Sequence, residues 1–267
     1  MFPCLFPSNS QSAARLCYGS LARLRLLTLA NPIRQSAVWR HRNSSDTGGS
    51  LFTEEIRTAH YRTLDIRVAF ATSSGTSRLF GPIREFVQRA GTAVVHIGLS
   101  NGITSAQAAE QLLLAGASVF GFETGGSVLF HPKVYLLQGR ERVWISIGSS
   151  NLTSDGLYRN FEANSLTTFD PQTQANRAAL RELTDAFRYL DAIQGASRRI
   201  SASDLPDLIA SNALIDETLV PVPQRVPSVL RTTRRVRGEV VRIRVPAAPP
   251  QHLHPRQLSC AHPCPSQ

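Results

Sequence analysis

The 267-residue chain has 29 Lys+Arg against 19 Asp+Glu, a formal charge of +10, but residues 51–200 hold 15 basic and 13 acidic side chains, so the excess sits in the two ends. That distribution weakens any basic-patch argument for the central region. No run of eighteen apolar residues exists, so neither a membrane-spanning helix nor stable membrane insertion is expected, and Cys4, Cys17, Cys260 and Cys264 all lie in the ends, so no disulfide framework can staple the middle.

Residues 1–45 contain six arginines and no acid. They read either as a mitochondrial transit-like segment or as a disordered basic leader, which leaves a cytoplasmic location expected and a mitochondrial one as the alternative. Ser44 to Ser50 reads as a linker, so residues 1–50 are set apart from a domain over 51–200. Within that domain the pattern predicts a short helix over 51–63 and a buried strand over 64–72 ending in the turn Ser73-Ser74-Gly75. A helix over 79–89 has Leu79, Ile83, Phe86 and Val87 on one face. A strand over 92–99 follows, then a helix over 104–115 capped by Thr104, and a strand over 117–122. Residues 133–137 and 142–147 read as a hairpin around Gln138-Gly139-Arg140-Glu141, followed by a strand over 162–169 and a long helix over 171–193 closed by Gly195. Strands alternating with helices, plus a hairpin, give an α/β/α sandwich on a central mixed sheet. Residues 201–267 are rich in Pro and Arg and read as a largely disordered linker or tail, with basic strands in 231–244. Cys260-x3-Cys264 with His252, His254 and His262 has metal-ligand residue types but lacks paired CxxC elements, and no metal or cofactor is assigned.

The chemistry concentrates between residues 131 and 163. Lys133 is the only lysine in the chain, two residues after His131. In a strand, alternate residues share a face, so the imidazole and the ammonium point the same way. The second hairpin strand runs back to that end and delivers Gly148, Ser149, Ser150 and Asn151. An imidazole, a point charge, a hydroxyl and an amide around one spot suit a phosphoryl group. Glu162, on the next strand, is placed to accept the second imidazole N–H. A compact ammonium fits a crowded strand edge better than the planar guanidinium used elsewhere in the chain.

His131-x-Lys133 followed by Gly148-Ser149-x-Asn151 resembles the phospholipase D superfamily signature. The extension through Gly156, Leu157, Asn160 and Glu162 is similar to its nuclease branch, which includes domains of restriction endonucleases and helicase-associated nucleases. The family's aspartate position, five residues after the lysine, holds Gln138 here. The resemblance covers residues 51–195 and implies the phospholipase-D-like α/β/α fold and a metal-independent phosphodiesterase acting on DNA. By the same resemblance, His131 is the nucleophile and Lys133, Asn151 and Ser149 hold phosphate oxygens. Glu162 orients His131, and Gly148, Ser150 and Asn160 line the substrate. One His-x-Lys motif per chain implies a homodimer that shares one active site. A fused or associated helicase or DNA-recognition domain is a further implied partner. The competing readings are a lipid-directed phospholipase and a non-catalytic nucleic-acid-binding module of the same fold.

His96 reads as a core histidine with a hydrogen-bond partner. Asn101-Gly102 reads as a cleft loop or a plain turn, and Arg198 and Arg199 as phosphate contacts or solvated charges.

Overall fold

The computed structural model describes residues 47–219 except 101, 125–127 and 194, together with the backbone of strands Arg34–Trp39 and Val241–Ile243. In chain order the elements are β1 (Arg34–Trp39), α1 (Gly48–Arg57), β2 (Thr63–Val68), α2 (Ser73–Gln88), β3 (Thr92–Gly98), α3 (Ala106–Leu114) and β4 (Ser118–Phe122). They continue with β5 (Lys133–Gln138), β6 (Val143–Gly148), β7 (Ala163–Phe169), α4 (Gln174–Asp191), β8 (Ser197–Ile200), α5 (Leu205–Ala210) and β9 (Val241–Ile243). A single sheet runs β8-β4-β3-β2-β5-β6-β7-β1-β9. β2, β3 and β4 are parallel, while β5, β6, β7 and β8 enter antiparallel, so the sheet is mixed as expected.

Strand alternation builds one core on each face. Leu64, Ile66, Tyr135, Leu137 and Trp144 point to the side covered by α1, α2, α3 and α5, where Phe52, Ile56, Ile83, Phe86 and Leu208 pack. Val134, Leu136, Val143 and Ile145 point to the other side and meet Leu183 and Phe187 of α4. Arg67, on that second face and 3% exposed, spans from Asp65 to Asp191 (2.7 and 2.9 Å) and tethers the end of α4 to β2, with the Phe187 ring 4.3 Å away.

Several elements depart from expectation. The Ser44–Ser50 linker is partly helix: Thr47 caps α1, and a Cβ at buried Gly49 would collide with the Tyr158 ring, so this glycine serves packing and not flexibility. Ser73-Ser74-Gly75 opens α2 instead of forming a turn, and Pro82 is accommodated inside that helix. Ser105, not Thr104, caps α3 by accepting from Ala108 N, while the Thr104 hydroxyl donates to the Gly98 carbonyl. The folded unit also passes the boundary at 200. Leu208 and Leu214 are 0% and 1% exposed, and Ile215 exchanges backbone hydrogen bonds with Thr104 and Ala106. Apolar residues spaced for burial override the polar composition of this stretch. Backbone strands β1 and β9 fall inside the segments read as leader and tail. The Cys260–Cys264 group lies outside the described residues.

Candidate active site

The hairpin β5–β6 and the carboxyl end of β2 meet at one edge of the sheet. Val68 pairs with Lys133, and Gly148 pairs with Asn164. Phe130 is the anchor that delivers the histidine. Its ring stacks on Phe122 at 4.2 Å and packs with Leu190 and Ala196 under the sheet edge. The next side chain, His131, is exposed on the opposite side.

Lys133 is 8% exposed, and its Nζ lies 2.7 Å from Nδ1 and 2.9 Å from Nε2 of His131, with a 3.3 Å bond to the His131 carbonyl. An ammonium at that distance donates to whichever ring nitrogen carries no proton, a contact that favours the neutral imidazole. Desolvation, and then the charge of Lys133, hold His131 below the usual histidine range. Desolvation also lowers Lys133, partly countered by Glu162.

Ser149 and Glu162 are directly bonded, the hydroxyl donating to Oε2 and accepting from Ala163 N at 3.0 Å. Asn160 donates to Glu162 Oε1 at 3.3 Å. The expectation that Glu162 holds His131 is therefore not met within the single chain. The carboxylate is occupied by Ser149 and Asn160, and it acts on the His131–Lys133 pair through its field on Lys133. Asn151 Oδ1 accepts from Phe70 N at 3.4 Å, two residues beyond the strand end that pairs with Lys133. That bond takes the carboxamide oxygen and leaves the two amide protons as the donors Asn151 can offer a ligand.

Ser150 and Gly148 differ from their expected role as substrate contacts. Ser150 is 3% exposed, its Oγ accepts from Asn164 Nδ2 at 2.8 Å, and its carbonyl accepts from Tyr135 OH at 3.0 Å, so it supports the loop from beneath. A Cβ at Gly148 would meet the Ala163 carbonyl and Asn164, so the glycine answers to crowding by β7. Tyr135 and Asn164 were missed as supports. Tyr135 had a visible signal, standing two residues after Lys133 on the same strand face. Asn164 had none.

His96 is in the core, 4% exposed and stacked at 5.1 Å on Phe120, but its Nδ1 has no hydrogen-bond partner and sits 3.7 Å from Asp191. Burial and Arg67 push it down to about 4.

The structure thus places an imidazole beside a buried ammonium, with a hydroxyl and an amide on the adjoining loop. The chain belongs to the family described as cardiolipin synthase, PLD-like domain, whose model matches residues 50–187. It is thus a member of the phospholipase D superfamily, whose members are phosphodiesterases. No curated protein sequence matches the chain. Among solved structures, the phospholipase D family member Nuc from Salmonella typhimurium shares 13% identity, covering 62% of this chain and 97% of Nuc, with a TM-score of 0.45. NucT from Helicobacter pylori shares 14% identity over 60% of this chain and 96% of that one, with a TM-score of 0.42. Phosphatidylserine synthase from Haemophilus influenzae shares 13% identity over 67% of this chain and 45% of that one, with a TM-score of 0.46. Among the described residues no helix is long and apolar enough to cross a membrane.

Proposed function

We propose that the chain is a phosphodiesterase that cleaves DNA through a covalent phosphohistidine on His131, in a site completed by a second copy of itself. The observation that carries this reading is the His131–Lys133 contact, which disfavours protonation of the attacking imidazole and presents a positive charge beside it. One nitrogen of His131 attacks phosphorus, the P–O bond to the leaving strand breaks, and Lys133 and the Asn151 amide take the charge on the non-bridging oxygens. The leaving oxygen needs a proton, which the partner copy's equivalent imidazole supplies in its protonated form, so the shared site reacts with one imidazole neutral and the other protonated. Water then cleaves the P–N bond, that same imidazole acting as base, and His131 is returned neutral. No step needs a metal. Exposed Leu129, 51% accessible and two residues before His131, adds apolar surface at the rim where a second copy would meet the first.

The family description, cardiolipin synthase, favours a second reading in which the phosphohistidine is formed from a phospholipid. Supercoiled plasmid and phosphatidylglycerol vesicles, each incubated in EDTA with wild type and His131→Ala, separate the two. Nicking by wild type alone supports the DNA reading, and lipid turnover alone supports the other. Nicking that survives His131→Ala, or that EDTA abolishes, overturns the mechanism. A monomer by analytical ultracentrifugation in an active preparation overturns the shared site.

A further inference from the structure

A recess opens at the carboxyl ends of parallel strands β3 and β4, the end of the sheet where β2 pairs with Lys133 and where ligands of open α/β sheets collect. Its volume is about 330 Å³, and its walls include Leu99 and Ser100 after β3, Glu123 after β4, Arg198 of β8, and Asn212 beyond α5. Its size lies at the lower end of the range of small-ligand sites. Asn212 holds φ at +57°, a left-handed conformation that asparagine tolerates better than most side chains. That turn sets this wall of the recess.

The recess has an unusual pairing. Glu123 and Arg198 border the same space, yet neither forms an ion pair with any described residue. A carboxylate and a guanidinium that share a recess without neutralising each other offer an acceptor pair and a donor fork to a third group. A guanine base matches both. Its N1–H and N2–H2 form a donor pair for a carboxylate, and its O6 and N7 form an acceptor pair for arginine. Ser100 and Asn212 add neutral polar groups, and buried Leu99 floors the recess from the core side.

The position suits a polymer bound across the catalytic pair. β3 lies two strands from β5, and β4 three, which is roughly 10–15 Å at the spacing of a sheet. The chain leaves the recess at Glu123, Thr124 N donates to Ser100 Oγ at 3.3 Å, and the same connection arrives at Phe130 and His131. A single strand with one phosphate at His131 can therefore place a neighbouring base here.

We infer that this recess is a base-binding subsite that takes a guanine of single-stranded nucleic acid, and this rests on the nucleic-acid reading above. The test has two arms. In the first, isothermal titration measures GMP, AMP, CMP and UMP binding to the full chain, to His131→Ala, Glu123→Gln and Arg198→Ala. The expected result is GMP bound at least tenfold more tightly than the others, a preference kept in His131→Ala and lost in Glu123→Gln and Arg198→Ala. Equal binding of all four, or a preference that Glu123→Gln leaves intact, overturns the subsite whatever the activity. In the second arm, wild type cleaves a random single-stranded pool, and the ends are sequenced. Guanine enrichment at one fixed offset, flattened by Glu123→Gln, supports the subsite, and cleavage without it overturns the subsite while leaving the nuclease reading in place. A GMP preference in a protein that cleaves no nucleic acid keeps the recess as a guanine site and sinks the nuclease reading.

Discussion

Lys133 Nζ rests 2.7 Å from Nδ1 of His131, two residues back on the same strand face, and the lysine is almost fully buried while the histidine is exposed. The lysine is thus a fixed wall of the site and the histidine its reactive surface. Replacing Lys133 with Arg puts a planar fork where a thin stem fits, and replacing it with Met removes the charge. Both variants are expected to lose at least about a hundredfold in kcat on a phosphodiester, the scale of losing one charge-stabilising donor. Steady-state rates alongside thermal melts check this, since Lys133→Met should fold as wild type.

Activity should follow the two shifted groups. His131 must be neutral to attack, and desolvation and Lys133 place its protonation below the ordinary histidine value of 6.5. The acid limb of the rate profile therefore lies below pH 6.5. The partner copy's His131 must carry the proton for the leaving oxygen, so a first alkaline limb also follows the imidazole. Lys133 must stay charged, and desolvation lowers it from 10.5, so a second alkaline limb falls below that value. Glu162 opposes the lowering of Lys133. Glu162→Gln removes a negative charge, so the second alkaline limb should move further down in pH while the imidazole limbs stay within a few tenths of a unit. A pH–rate profile of both proteins decides it, and an unmoved second limb would separate Glu162 from Lys133.

His96 offers a stability test away from the site. Its folded pKa is about 4 against an ordinary 6.5, because burial and Arg67 disfavour the cation more than Asp191 favours it. Asp65, itself raised by burial, completes the charged surroundings. Between pH 6.5 and 4 the unfolded chain binds the extra proton and the folded one does not, so stability falls as pH falls through that window. The full difference corresponds to about 3 kcal/mol. Urea melts of His96→Phe should show a shallower loss between pH 7 and 4.5 than those of wild type.

Much of this arrangement was legible in the residues themselves. Period-two and period-3.6 apolar patterns located β2 to β7 and the main helices, because burial on two faces leaves that signature. His131, Lys133, Ser149 and Asn151 were read from one hairpin, and antiparallel pairing of β5 with β6 places their segments at the same end of it. The parts that escaped depend on distant chain segments. Gly49 looked like linker because its partner, the Tyr158 ring, is more than a hundred residues away. Glu162 was assigned to His131 because strand order alone does not say which neighbour a carboxylate will choose, and Ser149 and Asn160 were nearer. Ser73 read as turn because its cap comes from Glu217. The Thr72 side chain meets the Ser74 hydroxyl and caps no backbone N–H of α2, and Ser73 instead gives its N–H to Glu217 Oε1 at 2.9 Å and its hydroxyl to Oε2.

That last contact makes residues 205–217 part of the domain's stability. Glu217 supplies the start of α2 with an acceptor that Thr72 does not, and a carboxylate there also opposes the positive end of the helix dipole. Its protonation is held below the usual carboxylate range, because the bonds from Ser105 and Ser73 outweigh its burial. Leu214, 1% exposed, packs into the main core together with Leu208. Leu214→Ala should therefore cost about 2–4 kcal/mol, the ordinary range for a leucine truncated in a packed core. Glu217→Ala should cost about 1 kcal/mol, in line with the loss of a helix cap. The two act through different contacts, the core and the α2 terminus, so their effects should add in the double variant. Urea melts of the three proteins at pH 7 measure this. A Leu214→Ala chain as stable as wild type would mean that the domain ends near residue 200 and that the segment after it contributes no folding energy.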